Sequence, residues 1–222
     1  MLPIGVPLTE PAVAVSRPVD VVFLGRLVPK KGVSDALQAI AAQPDAHALT
    51  CEVIGDGPLR ADVEALAKQL DLRVTFTGSL SPARVAQHLA RARVLLAPSR
   101  YAADGDAEGF GMVFLEAALA GVPAVAYRHG GVPEAVVDGE TGVLVREGDT
   151  AELASSLSEL LADEDMRVAM GEAARQRVRE QFDVAVRTPP LERLFDEVTA
   201  GAIARDPGAR SQRPSTQNEG ES

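Results

Sequence analysis

The 222-residue chain is read as an α/β domain, an open Rossmann-like parallel sheet with helices on both faces and a helical C-terminus. Two observations predict this class. Short apolar runs alternate with amphipathic segments of helical period from residue 19 to residue 145, the pattern of parallel strands joined by crossover helices. A hydrophobic content of 46% over this length is ample for one core of ordinary size.

The elements follow in order. Residues 1–18 carry Pro3, Pro7, Pro11 and Pro18, a spacing that blocks helix interiors and central strands, so the opening is expected to be an extended linker. The runs at 19–24, 49–54, 74–77, 94–97, 124–127 and 142–145 read as strands, and 33–43, 59–70, 82–90 and 111–120 as helices. Leu59, Val63, Leu66 and Leu70 fall on one helical stripe. Ser81-Pro82 reads as an N-cap with proline at the first helical position. Beyond Val145 the pattern is helical: Asp149 reads as the cap of a helix to residue 161, 163–181 as a second helix, and 190–200 as a third, with Leu191, Leu194, Phe195 and Val198 on one face. Residues 206–222, rich in Gly, Pro, Ser, Gln and Glu, are expected to be disordered.

Charge and cysteine usage exclude several classes. Against 32 Asp plus Glu there are only 22 Lys plus Arg, a formal net charge of −10, so the overall field repels nucleic acid and anionic lipid surfaces. A phosphate-bearing ligand therefore needs a local basic pocket. The single Cys51 has no internal disulfide partner, which fits a reducing compartment, and in a strand-like run it reads as a small core hydrophobe. No N-terminal signal pattern and no apolar run of about 20 residues is present, so no transmembrane segment is expected and the location is read as cytoplasmic.

In an open parallel sheet ligands bind beyond the carboxyl ends of the strands, so the loops after each run hold the candidate residues. Gly25-Arg26-Leu27-Val28-Pro29-Lys30-Lys31-Gly32 sets three cations and glycines at the start of a helix, which suits a diphosphate; it is not a P-loop, which needs Gly-Lys-Ser/Thr there. Gly55-Asp56-Gly57-Pro58 opens like a dinucleotide fingerprint. Its third glycine position is Arg60 and the expected later acidic residue is absent, so it reads as a tight phosphate-side turn and not a nicotinamide site. Glu108-Gly109-Phe110-Gly111-Met112-Val113-Phe114-Leu115-Glu116 brackets a glycine-rich helix entry with two carboxylates. Glu108 can accept hydrogen bonds from sugar hydroxyls, the amides near Gly109 and Gly111 can approach phosphate or sugar, and Glu116 can hold a ribose diol. Asp104-Gly105-Asp106 imitates a metal site but has no further oxygen ligands nearby in sequence. His47 and His88 read as surface residues with nothing beside them, whereas His129-Gly130-Gly131 can bring backbone near a ligand.

Together these loops resemble the retaining glycosyltransferases of family 4, which have the two-lobed GT-B fold. The matching motifs run in register: Gly25-Arg26 with Lys31-Gly32, Val53-Ile54-Gly55-Asp56-Gly57-Pro58, Val74-Thr75-Phe76-Thr77-Gly78, Pro98-Ser99, the Glu108-to-Glu116 pair, Gly121-Val122-Pro123, Gly130-Gly131-Val132-Pro133-Glu134 and Asp138-Gly139-Glu140-Thr141-Gly142. The resemblance implies that residues 19–182 form the C-terminal, nucleotide-sugar-binding half of the GT-B fold, that 183–204 form a helix crossing back to the other lobe, and that 205–222 are a tail. It also implies roles. Arg26 and Lys31 would neutralise the donor diphosphate. Glu108 would contact the transferred sugar with help from Gly109, Phe110, Gly111, Met112 and Val113, and Glu116 would bind the ribose. Gly25 and Gly57 would belong to the donor site, and Val74 would lie beside the base. The substrate would be a UDP-, GDP- or ADP-linked sugar, with no cofactor and no catalytic metal required, and the sugar would pass to an acceptor hydroxyl with retained configuration. Such enzymes have an N-terminal acceptor-binding lobe, here represented only by the proline-rich opening, so a partner chain supplying that lobe, or a truncated product, is expected. The competing readings are a non-catalytic nucleotide-sugar-binding module and a GT-B nucleotide-sugar epimerase.

Overall fold

The computed structural model describes residues 16–101 and 111–184 together with residue 188. Its described residues up to Gln181 lie in one compact unit and those beyond in a second, where the Thr188 hydroxyl donates to the Val184 carbonyl at 2.7 Å. The expected linker up to residue 15, the helix at 190–200 and the tail lie outside the described residues.

Six strands form one sheet: β1 (Val19–Leu24), β2 (Cys51–Ile54), β3 (Val74–Gly78), β4 (Ala92–Ala97), β5 (Ala124–Arg128) and β6 (Gly142–Arg146), in the spatial order β3-β2-β1-β4-β5-β6. All neighbours are parallel, with Val21 opposite both Cys51 and Val94, and Leu95 opposite Ala124. The central strands are buried along nearly their whole length, as a sheet covered on both faces requires, while edge strand β3 is only half-buried. The helices are α1 (Val33–Ala41), α2 (Arg60–Gln69), α3 (Pro82–Ala90), α4 (Met112–Leu119), α5 (Val132–Ala135), α6 (Thr150–Ala162) and α7 (Glu164–Gln181). Packing of α1 against α2 and α6, and of α4 against α3 and α7, makes the two helical layers.

Local sequence explains most element ends. Asp149 caps α6 by accepting from the Glu152 amide at 3.0 Å, and Asp163 does the same for the Met166 amide at 2.8 Å. Ser81 occupies the N-cap position of α3, but its hydroxyl makes no capping bond, so proline at the first helical position sets that start. The run expected to begin at residue 49 pairs only from Cys51, whose thiol is buried and pushed up to about 12 by burial and, second, by the nearby Asp20. One reading is corrected. His88 is not alone: its Nδ1 lies 2.7 Å from the Glu52 carboxylate, because the helical stripe of α3 faces the sheet and β2 turns a buried glutamate toward it.

Two features brace the sheet from its amino-terminal edge. The Arg17 guanidinium donates to the carbonyls of Ala92 at 2.6 Å and Ala120 at 2.8 Å, tying the start of β4 to the end of α4. Arg93 bridges Asp20 at 2.7 Å and donates to the Leu161 carbonyl at 2.8 Å.

Candidate functional site

The strand order reverses between β1 and β4, so the loops after these two strands flank a crevice at the carboxyl edge, the position where such sheets bind ligands. The loops are joined by main chain. The Arg100 amide donates to the Lys30 carbonyl at 2.8 Å, and Gly32 lies so close to Pro98 that an added Cβ would stand 1.9 Å from its carbonyl oxygen. Gly32 also has φ 66°, a left-handed conformation that glycine adopts without strain.

From this residue α1 starts, after a single turn of 3-10 helix over Pro29–Lys31. Arg26 is exposed, and Lys31 is half-buried with its stem running beside Gly25, where a Cβ would lie 3.6 Å from the lysine Cδ. Across the crevice, α4 starts from Gly111, again left-handed at φ 76°. Among the described residues neither helix start is closed by a side-chain cap, so the first-turn amides of both, Met112 and Val113 among them on α4, are donors suited to a ligand.

Glu116 lies in the second turn of α4 and is half-buried. Among the described residues its carboxylate has no hydrogen-bond or ion-pair partner, and burial raises its pKa above the ordinary carboxylate value. A buried acceptor left open in this way is ready for hydroxyl donors. Glu108, Gly109 and Phe110, and the Asp104-Gly105-Asp106 turn, lie outside the described residues. Among those described, no group of three or more His, Cys, Asp or Glu side chains could hold a metal ion.

Gly57 belongs to the neighbouring loop, where a Cβ would stand 2.6 Å from the Leu27 carbonyl oxygen. The Leu27 amide donates to Asp56 at 2.9 Å and the Leu59 amide to Leu27 at 3.1 Å, so Gly57 serves the close crossing of the β1 and β2 loops. Val74 is the one described site candidate the fold does not bring to the crevice. It is the first residue of β3 and pairs with Cys51, so strand polarity sets it about 13 Å, four residues of rise, behind the carboxyl end at Gly78. The residues of the β3 run that reach the ligand edge are Thr77 and Gly78, followed by Ser79 and Leu80.

Sequence reading missed a polar cluster at the base of the crevice. Asp35, in the first turn of α1, accepts from the Arg100 guanidinium at 2.7 Å and from the Tyr127 hydroxyl at 3.0 Å. The phenol is pushed up to about 12, chiefly by burial. Further along the β4 loop the Tyr101 amide donates to the Glu147 carboxylate at 3.0 Å, and the Tyr101 ring meets His129 edge-on at 5.2 Å between centroids. These partners are separated by 28 to 92 positions, so no local motif announces them.

The family model described as Glycosyl transferases group 1 matches residues 10–177. A GDP-mannose-dependent alpha-(1-6)-phosphatidylinositol monomannoside mannosyltransferase of Mycobacterium tuberculosis is 40% identical over 168 residues, 73% of this chain and 43% of the relative. The N-acetyl-alpha-D-glucosaminyl L-malate synthase of Bacillus anthracis is 40% identical over 157 residues, 68% of this chain and 38% of that protein. This chain therefore spans about two fifths of the length of these curated relatives. Among solved structures, sucrose-phosphate synthase of Thermosynechococcus elongatus matches with TM-score 0.78 at 27% identity, covering 90% of this chain and 52% of its own. HepE of Anabaena, in complex with UDP-glucose, matches with TM-score 0.71 at 26% identity, covering 83% and 50%. Among the described residues no helix is long and apolar enough to cross a membrane.

Proposed function

The chain belongs to the glycosyl transferases group 1 family, and on that premise we propose that its crevice is the donor half of a retaining glycosyltransferase, binding a nucleoside-diphosphate sugar whose glycosyl group passes to an acceptor hydroxyl. The observation that carries this reading is the pair of glycine-initiated helices that follow β1 and β4 on either side of the strand-order switch, with Lys31 beside one start and Glu116, whose carboxylate has no partner among the described residues, on the other helix. Two helix N-termini and the Arg26 and Lys31 cations suit a diphosphate, and they suit even better the extra negative charge that develops on it as the sugar departs. In this reading they supply the stabilisation that a divalent cation gives elsewhere. Glu116 takes the ribose hydroxyls, Glu108 with the amides from Gly109 to Val113 orients the sugar, and the base rests on the side of the sheet where residues 78–80 end β3. Gly25 and Gly57 shape the floor. The acceptor is held by a second lobe outside these residues, and the cytoplasm, where a single buried thiol is stable, is the compartment.

Calorimetric titration with UDP, GDP and ADP tests this directly. One of the three binds the chain in the micromolar to millimolar range, and Lys31→Ala and Glu116→Ala abolish the binding. Native protein that binds none of them overturns the reading.

A further inference from the structure

The Asp35, Arg100 and Tyr127 cluster presents an electrostatic problem that its geometry resolves. Asp35 is the third residue of α1, about 3 Å along the axis from its first residue. A carboxylate there stabilises an empty helix but opposes any anion that binds the same positive end. Its side chain is only 12% exposed, so water screens it poorly, and it faces Arg100 on one oxygen and the Tyr127 hydroxyl on the other. Arg100, with a 40% exposed side chain, is the charged partner on the open side, and it begins the loop whose amide is tied to Lys30. Its Nε is buried and has no hydrogen-bond partner among the described residues, so the guanidinium retains donor capacity beyond the Asp35 bond.

We propose that Arg100 is a positioning residue for the donor diphosphate: it neutralises Asp35 at the start of α1, so that this helix end and Lys31 present net positive potential to the phosphates, while holding the β4 loop against the β1 loop. The proposal rests on the donor-site reading above. An ordinary structural ion pair would give up stability when broken. This one gives up affinity for the diphosphate, and the loss is reversed by removing the second charge.

The test is a calorimetric titration of UDP, GDP and ADP, and of the matching nucleosides, into the native chain, Arg100→Gln and the double variant Arg100→Gln/Asp35→Asn, at low and at high salt. Arg100→Gln weakens the preferred nucleoside diphosphate by about tenfold at low salt, less at high salt, and leaves nucleoside binding unchanged, as an unpaired charge near the site requires. The double variant returns to within about threefold of native. Native-like affinity in Arg100→Gln, or no recovery in the double variant, overturns the proposal while leaving the donor site standing. Absence of binding by the native chain overturns both. Should Arg100→Gln not fold, Asp35→Asn alone decides: it binds the diphosphate at least as tightly as native, and a tenfold loss refutes the idea.

Discussion

Gly32→Ala couples the fold to the crevice and can be worked through in numbers. An alanine Cβ at this position would stand 1.9 Å from the Pro98 carbonyl oxygen and 2.9 Å from its carbon, both main-chain atoms that no rotamer change can move away. Ordinary contact begins at 3.4 Å, so the two loops must separate by about 1.5 Å. That separation breaks the Arg100 to Lys30 main-chain bond, now 2.8 Å, at a cost of about 1–3 kcal/mol for a donor and acceptor left without replacement. The left-handed φ of 66° adds about 1–2 kcal/mol for any residue with a Cβ. The total, about 2–5 kcal/mol, lowers the midpoint of thermal unfolding by roughly 10 °C in a domain of this size. Gly148→Ala is the internal control, because Gly148 is also left-handed at φ 80° but has nothing within 4 Å of its added Cβ. It isolates the conformational part, about 1 kcal/mol and roughly 3 °C. Circular dichroism melts of both variants, followed by nucleotide titration of the survivors, make the comparison. Equal melting temperatures for the two variants would show that the β1 and β4 loops are not braced at this crossing.

Glu116→Gln has a signed pH dependence. Burial raises the folded-state pKa, so the ionised form is penalised only in the fold. The native chain and the variant are equally stable at acid pH, where the carboxyl is protonated folded and unfolded, and the variant becomes the more stable as pH rises through the folded pKa. Melting curves between about pH 4 and pH 8 check this, and a difference that stays flat or takes the other sign refutes it. Tyr127→Phe removes the hydroxyl that donates to Asp35 at 3.0 Å and lowers stability by about 1–2 kcal/mol, read from denaturant midpoints; an unchanged midpoint would count against the cluster. The Cys51 thiol, buried and pushed up to about 12, reacts with a disulfide reagent only at the rate of unfolding, so rapid labelling under native conditions would contradict its place in the core.

Apolar period was enough to find every strand and every helix of eight or more residues among those described to within a few positions, because each spans a run long enough to show its repeat, while the 3-10 turn at Pro29–Lys31 and the short α5 do not. Element starts were legible where a side chain or proline sets them, as at Asp149 and Pro82, and less so at β2, where pairing partners rather than composition decide that Cys51 is the first paired residue. The tight turns and loop crossings at the carboxyl edge were legible as glycines, since a left-handed φ or a main-chain crossing leaves glycine as its trace. Val74 shows what a motif leaves out. A motif carries no depth, and only strand direction and pairing show that the motif's first residue sits at the far end of the sheet from its last. The Asp35, Arg100 and Tyr127 cluster and the His88 to Glu52 pair were illegible because each joins elements distant in sequence, and a lone acid or base in a helix reads as a solvated one until its partner is known.

The crevice is framed largely by groups that every residue type possesses. The β1 loop is held to the β4 loop by an amide and a carbonyl, and to the β2 loop by two more such bonds around Leu27. Glycines permit both crossings. Main-chain bonds of this kind are indifferent to most side-chain changes, so an exposed position such as Ser79 can change without moving the frame. The same architecture is seen in HepE of Anabaena, 26% identical to this chain and solved with UDP-glucose. The few side chains that brace the frame from within, Asp35, Arg100 and Tyr127, add charge and hydrogen-bonding groups, and two of them, Asp35 and Tyr127, are buried where water does little to screen them.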